Sequence, residues 1–174
     1  RALVVAGPTG CGKSKGVLAL LAAAGFTNVL QLDGSDAETV PELLLWVKRT
    51  RQTHGVLHGA SAVFLDDFES FSSPARKALG KLLTAEDKTL CPLVITCAQP
   101  RDPEYRELRP LVTIRLNAPS PRVVEDWFTR LYPAHLVAQV REFCETRDLR
   151  RVHNAIWFLQ RAHGTSKLEH VRPI

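Results

Sequence analysis

Methionine is missing altogether from this chain of 174 residues, and the sequence opens at Arg1-Ala2-Leu3-Val4-Val5, already inside an apolar β-type run. The two features together lead to the expectation that it is an excerpt of something longer. Long hydrophobic runs are also lacking. The stretch from Val17 to Ala24, bordered by Gly16 and Gly25, falls well short of the roughly 20 apolar residues a membrane-spanning helix needs, and no charged-then-apolar leader precedes it. No membrane partner is expected. Cysteine is sparse: Cys11, Cys91, Cys97 and Cys144 show neither zinc-ligand spacing nor the density of a secreted disulfide scaffold, so reduced thiols in the cytosol or nucleus are the natural reading. The six histidines are scattered along the chain, and solvated or locally hydrogen-bonded rings are expected in place of metal ligands.

What is present is a composition of 45% hydrophobic and 24% charged residues, enough to bury a core of one main domain with a small appendage. The formal charge of +5 would suit a polyanionic partner, although charge alone identifies none.

Apolar runs and helical periodicities alternate along most of the chain. Strands are expected at Ala2–Ala6, Val29–Leu32, Ala62–Leu65, Leu93–Cys97 and Val112–Leu116. Helices are expected over 13–24, 40–52 and 73–83, the last with Ser73 as its cap and Pro74 in its first turn. Five short strands joined by helical crossovers predict an α/β fold with a five-stranded, mostly parallel sheet flanked by helices. The pattern changes at Asn117-Ala118-Pro119-Ser120-Pro121, and the remainder reads as a bundle of three helices over 122–131, 134–146 and 149–161. The expected division is therefore a sheet domain at 1–117 and a helical domain at 118–174.

The chemistry concentrates first at Gly7-Pro8-Thr9-Gly10-Cys11-Gly12-Lys13-Ser14, a complete GxxxxGK[ST] phosphate loop set between a strand and a helix. Glycines let backbone N–H groups curl around phosphates, and the helix N-terminus adds its positive dipole end. Lys13 would reach the β and γ oxygens, and the Ser14 hydroxyl would ligate Mg²⁺. These eight residues, with Lys15 beside them, form the expected ATP-binding segment. Asp66, at the end of the third strand, is the expected acidic partner of the magnesium, and Asp67 is the candidate for polarising the attacking water. The alternative for Asp67 is a plain cap on the next element.

Further segments carry a resemblance to one family. Leu32-Asp33-Gly34-Ser35-Asp36 resembles the second-strand segment of replication factor C subunits, and Leu93-Val94-Ile95-Thr96-Cys97 resembles a sensor-1 strand. Pro110 to Leu116 with Ala118-Pro119 is similar to the strand leading to the lid. Arg147-Asp148-Leu149-Arg150-Arg151-Val152 with Asn154 is similar to the lid motif of clamp loaders, and by position its sensor-2 arginine is Arg150. In this order behind a phosphate loop, the segments resemble the AAA+ clamp loader family from Ala2 to about Gln160.

The resemblance implies an AAA+ core with a helical lid, binding of ATP with Mg²⁺, and contact of Arg150 with the γ-phosphate. It places Thr96 near the nucleotide. It implies other clamp loader subunits, a sliding clamp and primed or recessed DNA as partners, a role in DNA replication or repair, and a nuclear location, or a cytosolic one in a virus or prokaryote. Basic residues available for the DNA backbone are Lys48, Arg49 and Arg51, or Arg76, Lys77 and Lys81, with a solvated helix face as the alternative.

Departures from the family pattern bear on turnover. Asp67 stands where the family has glutamate, one methylene further from a γ-phosphate, and the sensor-1 asparagine falls on Ala98, which leaves Thr96 or Gln99 as substitutes. Arg109-Pro110-Leu111 replaces the Ser-Arg-Cys arginine finger of small subunits, as suits a large subunit at the open end of a ring. Two other readings stay open: a scaffold that holds ATP without hydrolysing it, and a P-loop kinase. The kinase is disfavoured because the helical segment follows the sheet domain instead of interrupting it.

Overall fold

The computed structural model describes residues 2–36, 39–52, 59–84, 91–100 and 103–162. Contacts divide the chain into two compact units, Arg1–Gly7 with Lys13–Leu116, and Pro8–Gly12 with Asn117–Ile174.

In the first unit, strand β1 (Ala2–Ala6) leads to helix α1 (Lys13–Ala23), β2 (Phe26–Leu32), α2 (Val40–Gln52), β3 (Ala60–Leu65), α3 (Ser73–Thr84), β4 (Leu93–Cys97) and β5 (Val112–Arg115). The five strands form one sheet in the order β2-β3-β4-β1-β5, and every pairing is parallel. The expected α/β architecture with helices flanking the sheet is what is found.

Why these runs become strands is visible in where alternate side chains go. Val4, Ala6, Val63, Leu65, Leu93, Ile95 and Cys97 join a core with Leu43 and Val47 of α2 and Ala75, Leu79 and Leu83 of α3. Their neighbours Val5, Ala62, Phe64 and Val94 join a second core with Val17 and Leu21 of α1. Both faces of the central strands are thus covered, which is the reason those strands read as unbroken apolar runs and not as alternating ones. Burying Phe64 completely, at 0% exposure, is worth about 2–3 kcal/mol by transfer.

Some boundaries differ from expectation for physical reasons. β2 begins at Phe26, earlier than Val29, and β3 at Ala60, earlier than Ala62, because parallel pairing continues through polar Asn28 and Ser61. Side-chain hydrophobicity does not report such backbone pairing. At α3 the cap is Ser72 and not Ser73: the Ser72 carbonyl accepts from Arg76 N at 2.9 Å, and its hydroxyl accepts from Ala75 N at 3.4 Å. Two adjacent serines offered the same signal, and Ser73 lies inside the first turn.

The second unit carries α4 (Pro121–Leu131), α5 (Ala134–Gln139), α6 (Arg141–Cys144) and α7 (Leu149–Ala162). Ser120 caps α4, accepting from Val123 N, with Pro121 at the first helical positions. Among the described residues the expected three helices are four. The middle one breaks at Val140 (φ −108°, ψ 15°), whose side chain is buried in the core with Val124, Phe128, Leu136, Val137, Cys144, Val152 and Ile156. Phe128 stacks on Tyr132, and the Tyr132 hydroxyl meets His153 Nδ1 at 2.8 Å in the same interior. Among the described residues, no helix is long and apolar enough to cross a membrane. Residues 163–174 of the expected helical domain lie outside the described residues.

Candidate functional site

Parallel strands bring the ends of β1, β3 and β4 to one edge of the sheet, and alternation selects which side chains meet there. Asp66 follows Leu65 and shares the face of Ala62 and Phe64, and Thr96 shares the face of Val94. Both therefore sit on the face covered by α1, where Ser14 occupies the first turn. The consequence is a compact network. Ser14 Oγ donates to Asp66 Oδ1 at 2.8 Å, and Thr96 Oγ1 donates to the same oxygen at 2.6 Å. Thr96 Oγ1 in turn accepts from the Asp67 amide at 2.9 Å, and Gln31 Nε2 lies 3.4 Å from Asp66 Oδ2. Thr96 is fully buried, so its hydroxyl ties two chain segments together away from competing water.

Gly7 is buried at the end of β1, its amide donating to Cys97 O at 3.1 Å. Gly10 (φ 75°) and Gly12 (φ 94°) adopt the left-handed conformations that L side chains resist, which is what the motif's glycines are for. Lys13 Nζ donates back to the Gly7 carbonyl at 2.8 Å, so its ammonium is held over the start of the loop. Pro8, Thr9 and Gly12 are exposed, Cys11 is half-buried, and Lys15 points to solvent.

By its contacts the segment Pro8–Gly12 belongs to the second unit. Leu149 N donates to the Gly10 carbonyl at 3.0 Å, and a Cβ on Gly10 would collide with the Asp148 carboxylate. Asp148 also caps α7, accepting from the amides of Arg150 at 3.0 Å and Arg151 at 3.2 Å. Arg150 itself is exposed on the first turn of that helix.

Asp67 adopts a left-handed conformation (φ 52°, ψ 68°) ahead of a 3-10 turn, Phe68–Ser70. Its carbonyl receives the Ser70 amide at 2.8 Å, but its carboxylate makes no capping bond, so the plain-cap alternative has no support in its side chain. Its pKa is raised, first by partial burial, then by the hydrogen bond and charge of Glu69 and by Asp66, with Lys13 opposing.

Glu69 is a neighbour that sequence reasoning did not single out. One carboxylate oxygen, Oε1, accepts from the Ala98 amide at 2.5 Å, and the other, Oε2, is buried with no donor. The only signal was a third acidic residue three positions after Asp66, which is indistinguishable in sequence from a solvated loop charge. Gln31 was likewise missed, as a lone polar residue within a short apolar strand.

The family-like segment after β2 is held by its own side chains. Asp33 Oδ1 accepts from Ser35 N at 2.7 Å and Ser35 Oγ at 2.6 Å, which lowers the Asp33 pKa, and Gly34 N donates to Ser70 Oγ at 2.8 Å. Of the basic residues considered for DNA, Arg51 is only 6% exposed and is removed from that set by burial. Arg76 is committed within the fold: its guanidinium donates to Phe71 O at 2.7 Å and lies over the Tyr105 ring. Lys48, Arg49, Lys77 and Lys81 are exposed.

No family model and no curated protein matches this chain.

The Ser14 hydroxyl and the Asp66 carboxylate meet at the end of β3. Among the described residues no group of three or more His, Cys, Asp or Glu side chains forms a protein-only metal cage. That is the donor set Mg²⁺ prefers, one or two protein oxygens with waters and phosphates completing the octahedron. Ser14 and Asp66 fit it.

Proposed function

We propose that the chain is an ATP-binding AAA+ module of a DNA sliding-clamp loader-like complex, similar to its large subunit, acting in replication or repair. The observation that carries the nucleotide part is the convergence of Ser14 and Thr96 on one oxygen of Asp66. Phosphate loop, acidic strand end and a polar group of the intervening strand meet there, as a phosphate and its cation require. Mg²⁺, held by Ser14 and Asp66, would neutralise charge on the β and γ oxygens.

The remaining roles belong to the protein's own groups. Backbone amides from Gly7 to Ser14 and the N-terminus of α1 receive phosphate oxygens, and the Lys13 ammonium leaves the Gly7 carbonyl to join them. Asp67, unengaged as a cap, orients water. For Arg150 the support is the lid-motif resemblance together with its exposed place on the first turn of α7. The clamp, the partner subunits and primed DNA follow from the family resemblance of the segments around Asp33, Thr96 and Arg150, and the exposed Lys48 and Lys77 would be basic groups for a DNA backbone.

A second reading, ATP held without turnover, is favoured by Ala98, which offers no side-chain polar group at the sensor-1 position, and by the short reach of Asp67. Phosphate release with Mg-ATP, alone and with primed DNA, clamp and partner subunits, tests both, with Lys13→Ala as the blank. Turnover that rises with DNA and clamp and vanishes in the variant supports the motor reading. Tight ATP binding without release under any condition selects the scaffold, and no ATP binding refutes both.

A further inference from the structure

We propose that the open edge of β5 is a docking site for an extended peptide segment of a protein partner, one that alternates apolar with acidic residues and joins the sheet as a further strand. β5 ends the strand order on one side, so among the described residues it pairs with β1 alone. One bond shows which of its backbone groups that pairing uses. The Leu116 amide donates to Ala6 O at 2.7 Å, toward β1, and successive residues of a strand turn their N–H and C=O groups to opposite sides. Val112 and Ile114 therefore bond inward with Leu116, while Thr113 and Arg115 hold their N–H and C=O groups toward the open side. Such a row of unpaired groups is a template for another strand.

The side chains decide what kind of strand fits. Val112 and Ile114 lie beside Leu3 and Val5, on the face where Val5 packs against α1, yet they are 70% and 47% exposed because α1 does not cover β5. On the opposite face stand Thr113 and Arg115, and among the described residues the exposed Arg115 has no ion-pair partner. Exposed Arg109 precedes the strand as Arg115 ends it, and no Asp or Glu occurs from Leu108 to Leu116. A segment with apolar residues beside Val112 and Ile114 and carboxylates at the intervening positions meets both faces, since cross-strand neighbours of opposite charge attract. The sheet's other edge is different. β2 exposes polar Thr27, Asn28 and Gln31, and its pairing shifts register between Phe26 and Asn28, whereas Val112-Thr113-Ile114 carries none of the lysines, prolines or bulges that guard an edge. A second copy of this chain fits less well, because a strand of 4 residues buries far less than the roughly 800 Å² per partner of a stable dimer and the copies would bring their own arginines to the seam. A peptide needs no such area: main-chain hydrogen bonds supply affinity, and alternate side chains supply selectivity.

The test titrates the full chain into a fluorescein-labelled peptide that alternates valine with glutamate, read by anisotropy. Two controls accompany it: the same composition with its valines grouped together, and an alternation of valine with lysine. Both are expected to bind about tenfold or more weakly than the alternating acidic peptide, a difference that pairing and charge together supply. Hydrogen exchange read residue by residue should show the Thr113 and Arg115 amides gaining protection when the peptide binds, with Ile114 protected throughout. Thr113→Pro removes only an outward N–H, at a place where edge strands tolerate proline, so it should keep native circular dichroism and melting while peptide binding falls about tenfold or more. Arg115→Glu should weaken the glutamate peptide and strengthen the lysine one. Should the proline variant not fold, two acidic peptides N-methylated on the valines or on the glutamates replace it, and only the one whose methyl groups face β5 should lose binding. Absence of binding, equal binding of the grouped peptide, equal binding of the two methylated peptides, or no new protection at Thr113 and Arg115 overturns the proposal. Protection there that rises with protein concentration alone, together with a dimer in sedimentation, makes the occupant a second copy and overturns the partner assigned.

Discussion

Replacing Thr96 by valine isolates the hydroxyl on which the site is assembled. The two side chains are nearly isosteric, and valine suits a buried strand, so backbone propensity and volume are preserved. What disappears is one donor to the Asp66 carboxylate at 2.6 Å and one acceptor for the Asp67 amide at 2.9 Å, in an interior with 0% exposure at Thr96. A hydrogen bond to a charged group contributes about 1.5–3 kcal/mol, and a buried amide left without an acceptor costs about 1–3 kcal/mol. Ser14 remains as a second donor to Asp66 and offsets part of the first loss. The expected net destabilisation is therefore about 3 kcal/mol, drawn from the values for hydrogen bonds lost in an interior. Urea unfolding followed by circular dichroism should show a lower midpoint at unchanged slope. Thr96→Ser supplies the control: it keeps the hydroxyl and loses one methyl group, for about 1 kcal/mol. Valine destabilising no more than serine would refute the claim that the hydroxyl, and not the packing, joins β4 to the loop after β3.

The thiols give an independent check on burial and on the nucleotide. Cys91, Cys97 and Cys144 are buried, and burial pushes the Cys97 thiol up to about 12 with the Glu69 charge adding to it, whereas Cys11 is half-buried in the phosphate loop. A thiolate-selective reagent at pH 8 is expected to modify Cys11 at least tenfold faster than the other three in the folded protein, since only the thiolate reacts. Mg-ATP should slow that reaction, and mass mapping of the labelled peptides reads the result. In the helical unit, Tyr132→Phe removes the buried bond to His153 Nδ1 at 2.8 Å and should cost about 1–2 kcal/mol in unfolding. A variant as stable as wild type would mean that this bond merely replaces one made to water.

How much could be read from the residues is clear from particular elements. The order of the strands and the place of Asp66 at the end of β3 were legible, because a doubly covered parallel sheet writes its strands as unbroken apolar runs. The start of β2, the choice of Ser72 over Ser73 as a cap and the break at Val140 were not. The first depends on backbone pairing that leaves no trace in hydrophobicity, the second on which of two identical hydroxyls reaches an amide, and the third on a valine that is worth more in the core than in a helix.

By itself, the sequence determined that a largely parallel sheet would carry Asp66 and Thr96 at its strand ends, since local propensity and the period of burial are properties of neighbours along the chain. Only the tertiary structure decided that Thr96 ties Asp66 to Asp67, that Arg51 is withdrawn from the surface, and that Glu69 turns its carboxylate to Ala98. Those outcomes depend on strand order and on one left-handed residue, which bring together groups about 30 positions apart in the chain, from Asp66 to Thr96 and from Glu69 to Ala98.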